Sequence, residues 1–360
     1  MNHSSRSVVV ALSGGVDSAM AAALLIRSGW TVHGLHFLLP AAASRIKDRI
    51  AAVEGIVGRL NMPLEMLDLE QAFDRAVIAP FLNAYLQGLT PNPCVMCNET
   101  VKFKYLEKYA QDKGIDAVAT GHYVIISREN ERAPTRLFRG KDPVKEQSYF
   151  LHRLDRSVLS KTVFPLGEWT KADVRKQAKE IGLPVHAASG SQEICFIPGN
   201  DYRRFMGKRD DARLPGPGLI VTEGGERVGE HGGIHAYTIG QRHGLGIASE
   251  RPYYVKEIRP ESNELVVARK EALFSGQVAA GDVNWIEGMP EREEMAVSAQ
   301  VRYRHRAARG RLRVVSPLEV TVDFRDPQWA VTPGQALVFY EGNRLLGGGW
   351  IRRDGKSIED

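Results

Sequence analysis

The chain has 360 residues, of which 43% are hydrophobic and 25% charged, and its formal net charge is +5 at pH 7. This composition is typical of a folded globular protein and argues against a disordered or fibrous chain. The length is sufficient for two or three domains with separate cores. The mild positive charge permits an acidic partner such as a nucleic acid without requiring one.

Neither a secretory signal nor a membrane span is recognisable in the sequence. Residues 1–6 lack the apolar core of a signal peptide, and no apolar run is long enough to cross a bilayer. The chain has three cysteines, and an odd number without a signal favours reactive or metal-binding thiols over a disulfide framework. We therefore expect a cytoplasmic protein.

The first predicted element is a buried strand at Val8–Leu12, followed by a tight turn at Ser13–Gly15 and a helix at Ala19–Ile26. Two glycines allow the backbone to approach a bound group, while a hydroxyl, a carboxylate and the helix N–H groups point into one space. This pattern predicts an anion site and nucleotide binding. The loop is neither a Walker A motif nor a dinucleotide fingerprint. The alternative is an ordinary strand–turn–helix in which small residues only permit close packing.

Alternating strand and helix patterns continue through the first half of the chain. Such alternation predicts a doubly wound α/β sheet with ligands outside the carboxyl ends of its strands. One carboxyl end is the glycine turn and another is Gly121-His122, so we expect these two turns on the same edge of the sheet. The first domain is predicted to span residues 1–205. Further strands are predicted at Thr31–Phe37, Leu64–Leu69 and Ile115–Thr120, and further helices at Ile46–Leu60, Ala72–Leu89 and from Thr170, with Asp173 as capping partner, to Gly182.

The pattern changes in the second half of the chain. A small central domain is predicted at 206–268, since residues 224–246 are too rich in glycine for long helices. Short strands at close spacing then predict a C-terminal β-barrel at 269–360, the clearest being the strict alternation of Leu318–Phe324. The other short strands are predicted at Tyr254–Ile258, Leu265–Ala268, Val297–Arg302, Arg311–Val315, Gln335–Tyr340 and Leu345–Ile351.

The cysteines form one close pair and one distant single residue. Cys94 and Cys97 follow two prolines in a predicted loop just ahead of a helix, where the helix dipole would favour a thiolate. Cys195 has apolar neighbours, which would suit a buried structural cysteine. Half of a zinc site is one interpretation, but a second close pair of ligands is missing. A three-thiolate iron–sulfur cluster and a pair of redox thiols, one carrying a persulfide, are the others. Spacing alone does not separate the last two.

The hexapeptide Ser13–Ser18 resembles the pyrophosphate-binding loop of the ATP-pyrophosphatase (PP-loop) superfamily, whose members cleave ATP between its α and β phosphates. Together with the prolyl Cys-x-x-Cys loop and the distal cysteine, it resembles the tRNA-specific 2-thiouridylase family. Further stretches similar to that family follow in order along nearly the whole chain. They are Ala119–Tyr123, Lys145–Leu151, Gly190–Ile197, Tyr237–Arg242, Val301–Arg304, Thr332–Gln335 and Gly347–Gly349.

This resemblance implies a reaction and partners. It implies a PP-loop domain, a small central domain and a β-barrel that together grip a tRNA anticodon arm. ATP would adenylate the C2 oxygen of the wobble uridine, and a cysteine persulfide would deliver sulfur to C2 with release of AMP, pyrophosphate having left in the first step. The persulfide implies a sulfur-donor protein as a partner. We expect the enzyme itself to be a monomer.

The resemblance also implies residue roles. Cys97 matches the nucleophile and Cys195 the persulfide carrier, and Asp17 is a plausible carboxylate for Mg²⁺ bridging the phosphates. An iron–sulfur cluster on Cys94, Cys97 and Cys195 stays open as the alternative. The matches to ATP-binding positions are Ala11, Leu12, Ser13, Gly14, Gly15, Val16, Asp17, Ser18, Phe37 and Gly121. The matches to target-base positions are Asn92, Pro93 and Cys94, and those to tRNA-contacting positions are His122, Lys145, Glu146, Gln147, Arg302, Tyr303 and Gln335.

Two features depart from the family pattern. Residues 38–44 are apolar and uncharged where the family carries a tryptophan and acidic residues, and Cys94 stands where some members have Asp.

Two other functions compete with this interpretation. A pyrophosphatase-superfamily ligase or amidotransferase acting on a small metabolite would have no use for Cys97, Cys195 or a basic barrel. A non-catalytic tRNA-binding protein would have lost part of the loop or a cysteine. We therefore predict an ATP-dependent tRNA sulfurtransferase.

Overall fold

The computed structural model describes residues 6–41, 43–128, 133–184, 194–209 and 213–353. The chain divides into two compact units. The first consists of Met1–Val77, Cys94–Asn200 and Asn343–Leu346, and the second of Ile78–Pro93, Asp201–Gly342 and Gly347–Asp360. Residues 190–193 of the predicted motif at 190–197 lie outside the described part. Among the described residues, no helix combines the length and apolar character that a membrane crossing requires.

The first unit contains the predicted parallel sheet. Its centre is β1, where Val8, Val9 and Val10 are completely buried because a parallel strand is covered on both faces. The five strands run in the order β3-β2-β1-β4-β7 and all pair in parallel. The strands of this unit are β1 Ser7–Ala11, β2 Thr31–Leu38, β3 Leu64–Asp68, β4 Ala117–Ala119, β5 Val124–Ser127, β6 Arg136–Arg139 and β7 Thr162–Val163.

Helices cover both faces of this sheet. Val8 and Val10 pack in a cluster with Leu25 and Val53, whereas Val9 packs on the opposite face with Leu106. The doubly wound α/β prediction is therefore confirmed. In chain order the helices of the protein are α1 Val16–Arg27, α2 Ala43–Leu60, α3 Glu70–Phe73, α4 Ala79–Leu86, α5 Pro93–Cys97, α6 Phe103–Lys113, α7 Arg156–Ser160, α8 Lys171–Glu180 and α9 Tyr202–Gly207, with π-helical turns at Asp74–Ile78 and Asn98–Lys102. Short 3₁₀ turns lie at Ser148–Leu151, Pro198–Asn200, Ile234–Ala236 and Lys270–Leu273.

Local sequence patterns predicted some helices correctly and others wrongly. The capping box that Thr170 and Asp173 predict is present at the start of α8. The single helix predicted at Ala72–Leu89 is instead α3, a π-helical turn and α4. The prolyl stretch predicted as a loop contains α5, since proline at the first helical position loses no hydrogen bond. The two cysteines of the close pair thus lie within a helix rather than ahead of one.

The second unit contains a mixed four-stranded sheet and a closed barrel. The sheet has the order β10-β11-β8-β9, with β8 and β11 parallel. The barrel has the order β12-β15-β14-β13-β16-β17, and pairing of β12 with β17 closes it, which confirms the predicted architecture. The strands are β8 Gly218–Thr222, β9 Arg227–His231, β10 Tyr254–Arg259, β11 Glu264–Ala268, β12 Phe274–Trp285, β13 Glu294–Gln300, β14 Ala308–Ser316, β15 Glu319–Trp329, β16 Ala336–Glu341 and β17 Arg344–Ile351.

The glycines of β17 have a packing role at the closure of the barrel. A Cβ atom on Gly349 would lie 2.6 Å from the carbonyl oxygen of Gly281 in β12. Only glycine therefore allows the two backbones to approach this closely. Within the first unit, the start of the same strand pairs with β6 through Arg344–Phe138 and Leu345–Leu137.

Candidate active site

The carboxyl end of β1 is anchored before the turn begins. The Leu12 N–H donates to the Leu35 carbonyl oxygen at 2.9 Å, and the Leu12 carbonyl oxygen accepts from His36 Nδ1 at 2.7 Å. His36 is buried, and this burial lowers its pKa, so the ring is neutral and its Nδ1 carries the proton. The sequence offered no signal for this role beyond a polar residue in a buried strand.

Residues 11–18, hereafter the nucleotide loop, are held by their own hydrogen bonds. The Ser13 N–H donates to Ser18 Oγ at 3.1 Å, and Ser18 Oγ donates to the Gly15 carbonyl oxygen at 3.0 Å. Gly14 adopts a φ of +79°, which glycine tolerates without strain. Gly15 occupies the N-cap of α1 and offers no capping side chain. The start of α1 therefore keeps N–H groups that suit a phosphate.

Gly121 packs directly against the nucleotide loop. It follows β4, which pairs in parallel with β1, so both turns lie on the same edge of the sheet as predicted. A Cβ atom on Gly121 would lie 2.7 Å from the Asp17 carbonyl carbon and 2.8 Å from the Ser18 nitrogen. Any side chain at this position would displace the first turn of α1. Phe37 lies near the carboxyl end of β2, the other neighbour of β1, half-buried against the Val9 cluster.

Asp17 is bonded by two side chains from outside the nucleotide loop. Lys171 Nζ lies 2.6 Å from both of its carboxylate oxygens, and the Tyr123 hydroxyl donates to Oδ1 at 2.6 Å. Neither partner was predicted: the sequence favours Tyr123 as a packing residue, and Lys171 is one of many lysines. A Mg²⁺ ion held by Asp17 would therefore have to share the carboxylate with Lys171.

The three cysteines are free thiols that lie near one another. Cys94 and Cys195 reach the surface and Cys97 is partly exposed. Cys97 and Cys195 both raise the pKa of Cys94 electrostatically, which places the sulfurs within Coulombic range. We call these three residues the thiol cluster. Across the described part of the chain, no three His, Cys, Asp or Glu side chains are placed so that they could hold a metal ion.

The pKa values of the thiols shift in the direction opposite to the prediction. Although Cys94 and Cys195 reach the surface, the protein atoms around the sulfurs desolvate the thiolates. This desolvation raises the pKa of Cys97 to about 11 and that of Cys94 to about 12, and it also raises the pKa of Cys195. The expectation that the helix dipole favours a thiolate is therefore wrong in the free protein. Desolvation of the charged form is the largest cause of each of these three shifts.

Lys102 is the cation that acts on all three thiols. Its charge lowers the pKa of each cysteine and offsets part of the effect of burial, and Arg49 does the same for Cys195. Lys102 Nζ donates to Asn98 Oδ1 at 2.9 Å, and Asn98, which is 3% exposed, donates to the Phe150 carbonyl oxygen at 3.2 Å. Both residues belong to the π-helical turn after α5. Neither Lys102 nor Asn98 was predicted as a site residue, because the sequence pattern did not indicate this turn.

His122 is predicted to contact tRNA, yet it is 8% exposed. Its Nδ1 lies 2.7 Å from the Thr120 hydroxyl, and its ring stacks on Phe103 with a centroid separation of 6.0 Å. Burial lowers its pKa well below the usual value, so the ring is neutral. The contact therefore stays a prediction, with little of the ring available at the surface.

Two of the three residues predicted at the Lys145–Gln147 tRNA position bond internally. Glu146 forms an ion pair with Arg139 at 3.1 Å and accepts from the Ser148 N–H. Gln147 accepts from the Tyr123 N–H at 3.1 Å through Oε1, and its own N–H donates to the Tyr123 carbonyl oxygen at 3.2 Å. Lys145 is half-buried. Any contact of this segment with tRNA would therefore use Lys145 and the main chain first.

The second unit holds the remaining predicted positions. Gln335 donates from Nε2 to the Thr90 carbonyl oxygen at 2.8 Å, and the Thr90 N–H donates to the Pro333 carbonyl oxygen at 2.9 Å. The barrel turn thereby supports the segment that precedes Asn92 and Pro93, both of which are buried. A direct role of these residues in binding the target base or tRNA stays a prediction.

Basic side chains line the outside of the barrel. Arg309, Arg311 and Arg313 alternate as exposed residues along β14, and Glu294 pairs with Arg311 at 3.3 Å and with Arg313 at 3.0 Å. Exposed pairs of this kind contribute little to stability. The Arg302 guanidinium lies 5.8 Å from the centre of the Trp329 ring, and Arg304 lies 5.7 Å from that of Tyr303.

Three family models match consecutive parts of the chain. They are described as the HUP domain of tRNA methyl transferase at residues 6–199, the PRC-barrel domain of tRNA methyl transferase at 206–269, and an aminomethyltransferase beta-barrel domain at 275–351.

Curated relatives match over nearly the whole chain. The tRNA-specific 2-thiouridylase MnmA of Carboxydothermus hydrogenoformans is 41% identical over 97% of this chain and 98% of its own length. The enzyme of the same name from Acidithiobacillus ferrooxidans is 40% identical over 96% of this chain and 98% of its own length. That from Geobacter metallireducens is 41% identical over 96% of both. With its nucleotide loop and thiol cluster in one unit, this chain belongs to the tRNA-specific 2-thiouridylase family.

Proposed function

We propose that this protein is an ATP-dependent tRNA-uridine 2-sulfurtransferase that adenylates the C2 oxygen of the wobble uridine and replaces it with sulfur. The observation that carries this proposal is the presence, in one unit, of a glycine turn at an uncapped helix N-terminus, which suits a phosphate, and of three free thiols. A methyl transferase would have no use for either feature, and a small-molecule ligase would have no use for the thiols.

The nucleotide loop suits the first half of the reaction. The uridine C2 oxygen attacks the α-phosphorus of ATP, and the bond to the β-phosphate breaks to release pyrophosphate. The N-terminal N–H groups of α1, which no capping side chain satisfies, are donors for the developing phosphate charge. Mg²⁺ bound with ATP would offset the charge of the departing pyrophosphate, and Asp17 would hold it while sharing its carboxylate with Lys171.

The thiol cluster suits the second half. A sulfur-donor protein transfers sulfur to Cys195 to give a persulfide, whose terminal sulfur attacks C2 and displaces AMP. The Cys97 thiolate then attacks the Cys195 sulfur, which releases the 2-thiouridine and leaves a Cys97–Cys195 disulfide for reduction by an external thiol. Lys102 supports the use of Cys97 and Cys195 in this reaction, because its positive charge favours the thiolate form of both.

The substrate and partners are inferred from the same chemistry. A wobble base lies unpaired in an anticodon loop, so exposing its C2 edge costs little compared with opening a duplex. The exposed arginines of β14 provide a positive surface for the anticodon arm. We expect the protein to act as a monomer.

The route through an iron–sulfur cluster is the one alternative that the residues themselves raise. Anaerobic purification with iron and acid-labile sulfide analysis, beside a thiolation assay on unmodified tRNA with ATP and a sulfur donor, separates the two. Full activity without iron supports the persulfide route. Activity that requires iron and sulfide would assign the thiol cluster as cluster ligands and overturn the persulfide roles. No thiolation in either state would overturn the proposed function.

A further inference from the structure

Lys171 lies between two loops of the first unit. Its Nζ contacts both carboxylate oxygens of Asp17 at 2.6 Å, and the Lys171 side chain is 12% exposed. Because Asp17 stands in the first turn of α1, its charge would oppose that of a bound phosphate. The Lys171 ammonium group neutralises this charge, so the nucleotide loop stays favourable to an anion.

The main chain of Lys171 is held by a different carboxylate. Asp142 Oδ2 accepts from the Lys171 N–H at 2.8 Å, while Asp142 Oδ1 accepts from the N–H groups of Val144 at 2.9 Å and Lys145 at 3.1 Å. Asp142 is 8% exposed. Its burial alone would raise its pKa, but the three main-chain donors outweigh burial and lower it, so the group is charged. Asp142 thus joins the segment at 142–147 to the first residue of α8.

A second connection runs through Tyr123. Its hydroxyl donates to Asp17, while its main-chain N–H and carbonyl oxygen exchange two hydrogen bonds with Gln147. The nucleotide loop and the 142–147 segment are therefore linked twice, by Asp17–Lys171–Asp142 and by Asp17–Tyr123–Gln147. Both chains consist of buried or half-buried groups at hydrogen-bond distance.

We propose that Lys171 and Asp142 are positioning residues through which tRNA bound at the 142–147 segment strengthens ATP binding by the nucleotide loop. This inference rests on the proposed function. A contact of tRNA with the segment acts on Asp142, which holds the start of α8 and with it the ammonium group beside Asp17. By thermodynamic linkage, ATP must then tighten tRNA binding by the same factor.

The test is a binding cycle with an ATP analogue that cannot be cleaved at the reacting bond, α,β-methylene-ATP with Mg²⁺. Its dissociation constant is measured with and without an unmodified transcript of a tRNA that has uridine at the wobble position. In the parent protein we expect tRNA to tighten analogue binding about tenfold. In Asp142→Asn we expect this factor to fall below about threefold, and binding of the analogue alone to weaken by no more than the loss of about tenfold expected for Lys171→Gln.

Asp173→Asn is the matched control. Asp173 is also a carboxylate at the start of α8, but it is exposed, and its side-chain hydrogen bonds run to Thr170 rather than to the 142–147 segment. The Asp173→Asn variant should therefore keep the factor by which tRNA tightens analogue binding in the parent protein. Lys171→Gln, which keeps the main-chain N–H that Asp142 holds, should weaken the analogue about tenfold with or without tRNA. Thermal unfolding of each variant identifies any that fail to fold, and Lys171→Gln keeps the test available if Asp142→Asn does.

The inference is overturned by a coupling factor near one in the parent protein, by parent coupling in Asp142→Asn, or by equal losses in Asp142→Asn and Asp173→Asn. It is also overturned if Lys171→Gln binds the analogue as tightly as the parent. Failure of the parent protein to bind either the analogue or tRNA is a different result, because it overturns the proposed function itself.

Discussion

The nucleotide loop and the thiol cluster lie in the same unit but manage charge in opposite ways. Asp17 is paired with Lys171 and with the Tyr123 hydroxyl, so the charges of the loop are satisfied before any ligand arrives. The thiols have raised pKa values, and Lys102 offsets only part of the effect of burial. A binding loop gains from being organised in advance. Reactive thiols that stay protonated at rest are protected from unwanted oxidation.

Removing the thiols tests the reactive side of this comparison and should have the largest effect. Cys97→Ala and Cys195→Ala should each lower thiolation by about 10³-fold or more, because each removes a group that forms a covalent bond. Binding of ATP and tRNA should be unchanged, as measured by equilibrium titration. Cys94→Ser is the comparison: Cys94 is a predicted target-base position and forms no covalent bond on the persulfide route, so this variant should lose far less activity than the other two. Loss of activity in Cys94→Ser as well would point to a cluster instead.

Filling the space between β4 and α1 tests whether ATP binding depends on the preformed structure of the nucleotide loop. In Gly121→Ala the new methyl group would meet the Asp17 backbone at 2.7 Å, so the first turn of α1 must move. We expect ATP affinity to fall by about tenfold or more and the free energy of unfolding to fall by about 1–3 kcal/mol. Gly58→Ala, in the last turn of α2 with open space around it, should leave ATP affinity unchanged. Parent ATP affinity in Gly121→Ala would contradict the close packing.

Removing the Lys102 charge tests how far the cation offsets burial. The raised pKa of Cys97, about 11, means that its thiolate fraction rises about tenfold for each pH unit below that value. Single-turnover sulfur transfer should therefore accelerate from pH 7 to pH 10. Lys102→Gln should slow it about tenfold at pH 7.5 and recover at higher pH, because the thiol pKa rises further. Lys104→Gln, an exposed lysine on α6, is the control. A pH-independent rate in the parent protein would contradict this account.

Replacing His36 should have the smallest effect. His36→Leu removes the donor to the Leu12 carbonyl oxygen, and the unpaired buried acceptor should lower the free energy of unfolding by about 1–3 kcal/mol. ATP affinity should fall only a few-fold, since the loop keeps its own hydrogen bonds. His33→Leu on the same strand, where the side chain is half-buried, is the matched comparison in chemical denaturation. A larger loss of ATP binding than in Gly121→Ala would reverse the order of importance assigned to these contacts.

Much of the fold could be predicted because short-range rules dominate there. β1 and the presence of α1 follow from a run of β-branched residues and a glycine turn, although α1 begins at Val16 and not at the predicted Ala19. The capping box at Thr170 follows from one side chain and its third neighbour. The alternating apolar residues of β15 predicted a strand of the barrel. The helix from Ala72 was harder, because π-helical turns leave no distinct pattern in the apolar spacing.

The sequence by itself determined which functional groups the site contains: a glycine loop suited to a phosphate, a pair of close thiols, a third thiol distant in sequence and a glycine at a strand end. These are local patterns whose chemistry depends on neighbours within a few residues. The tertiary structure alone decided that Lys171, 154 residues from Asp17, pairs with it, and that Glu146 and Gln147 are engaged within the protein. It also decided the direction of the thiol pKa shifts. Desolvation depends on every atom packed around a group, and those atoms come from distant parts of the chain.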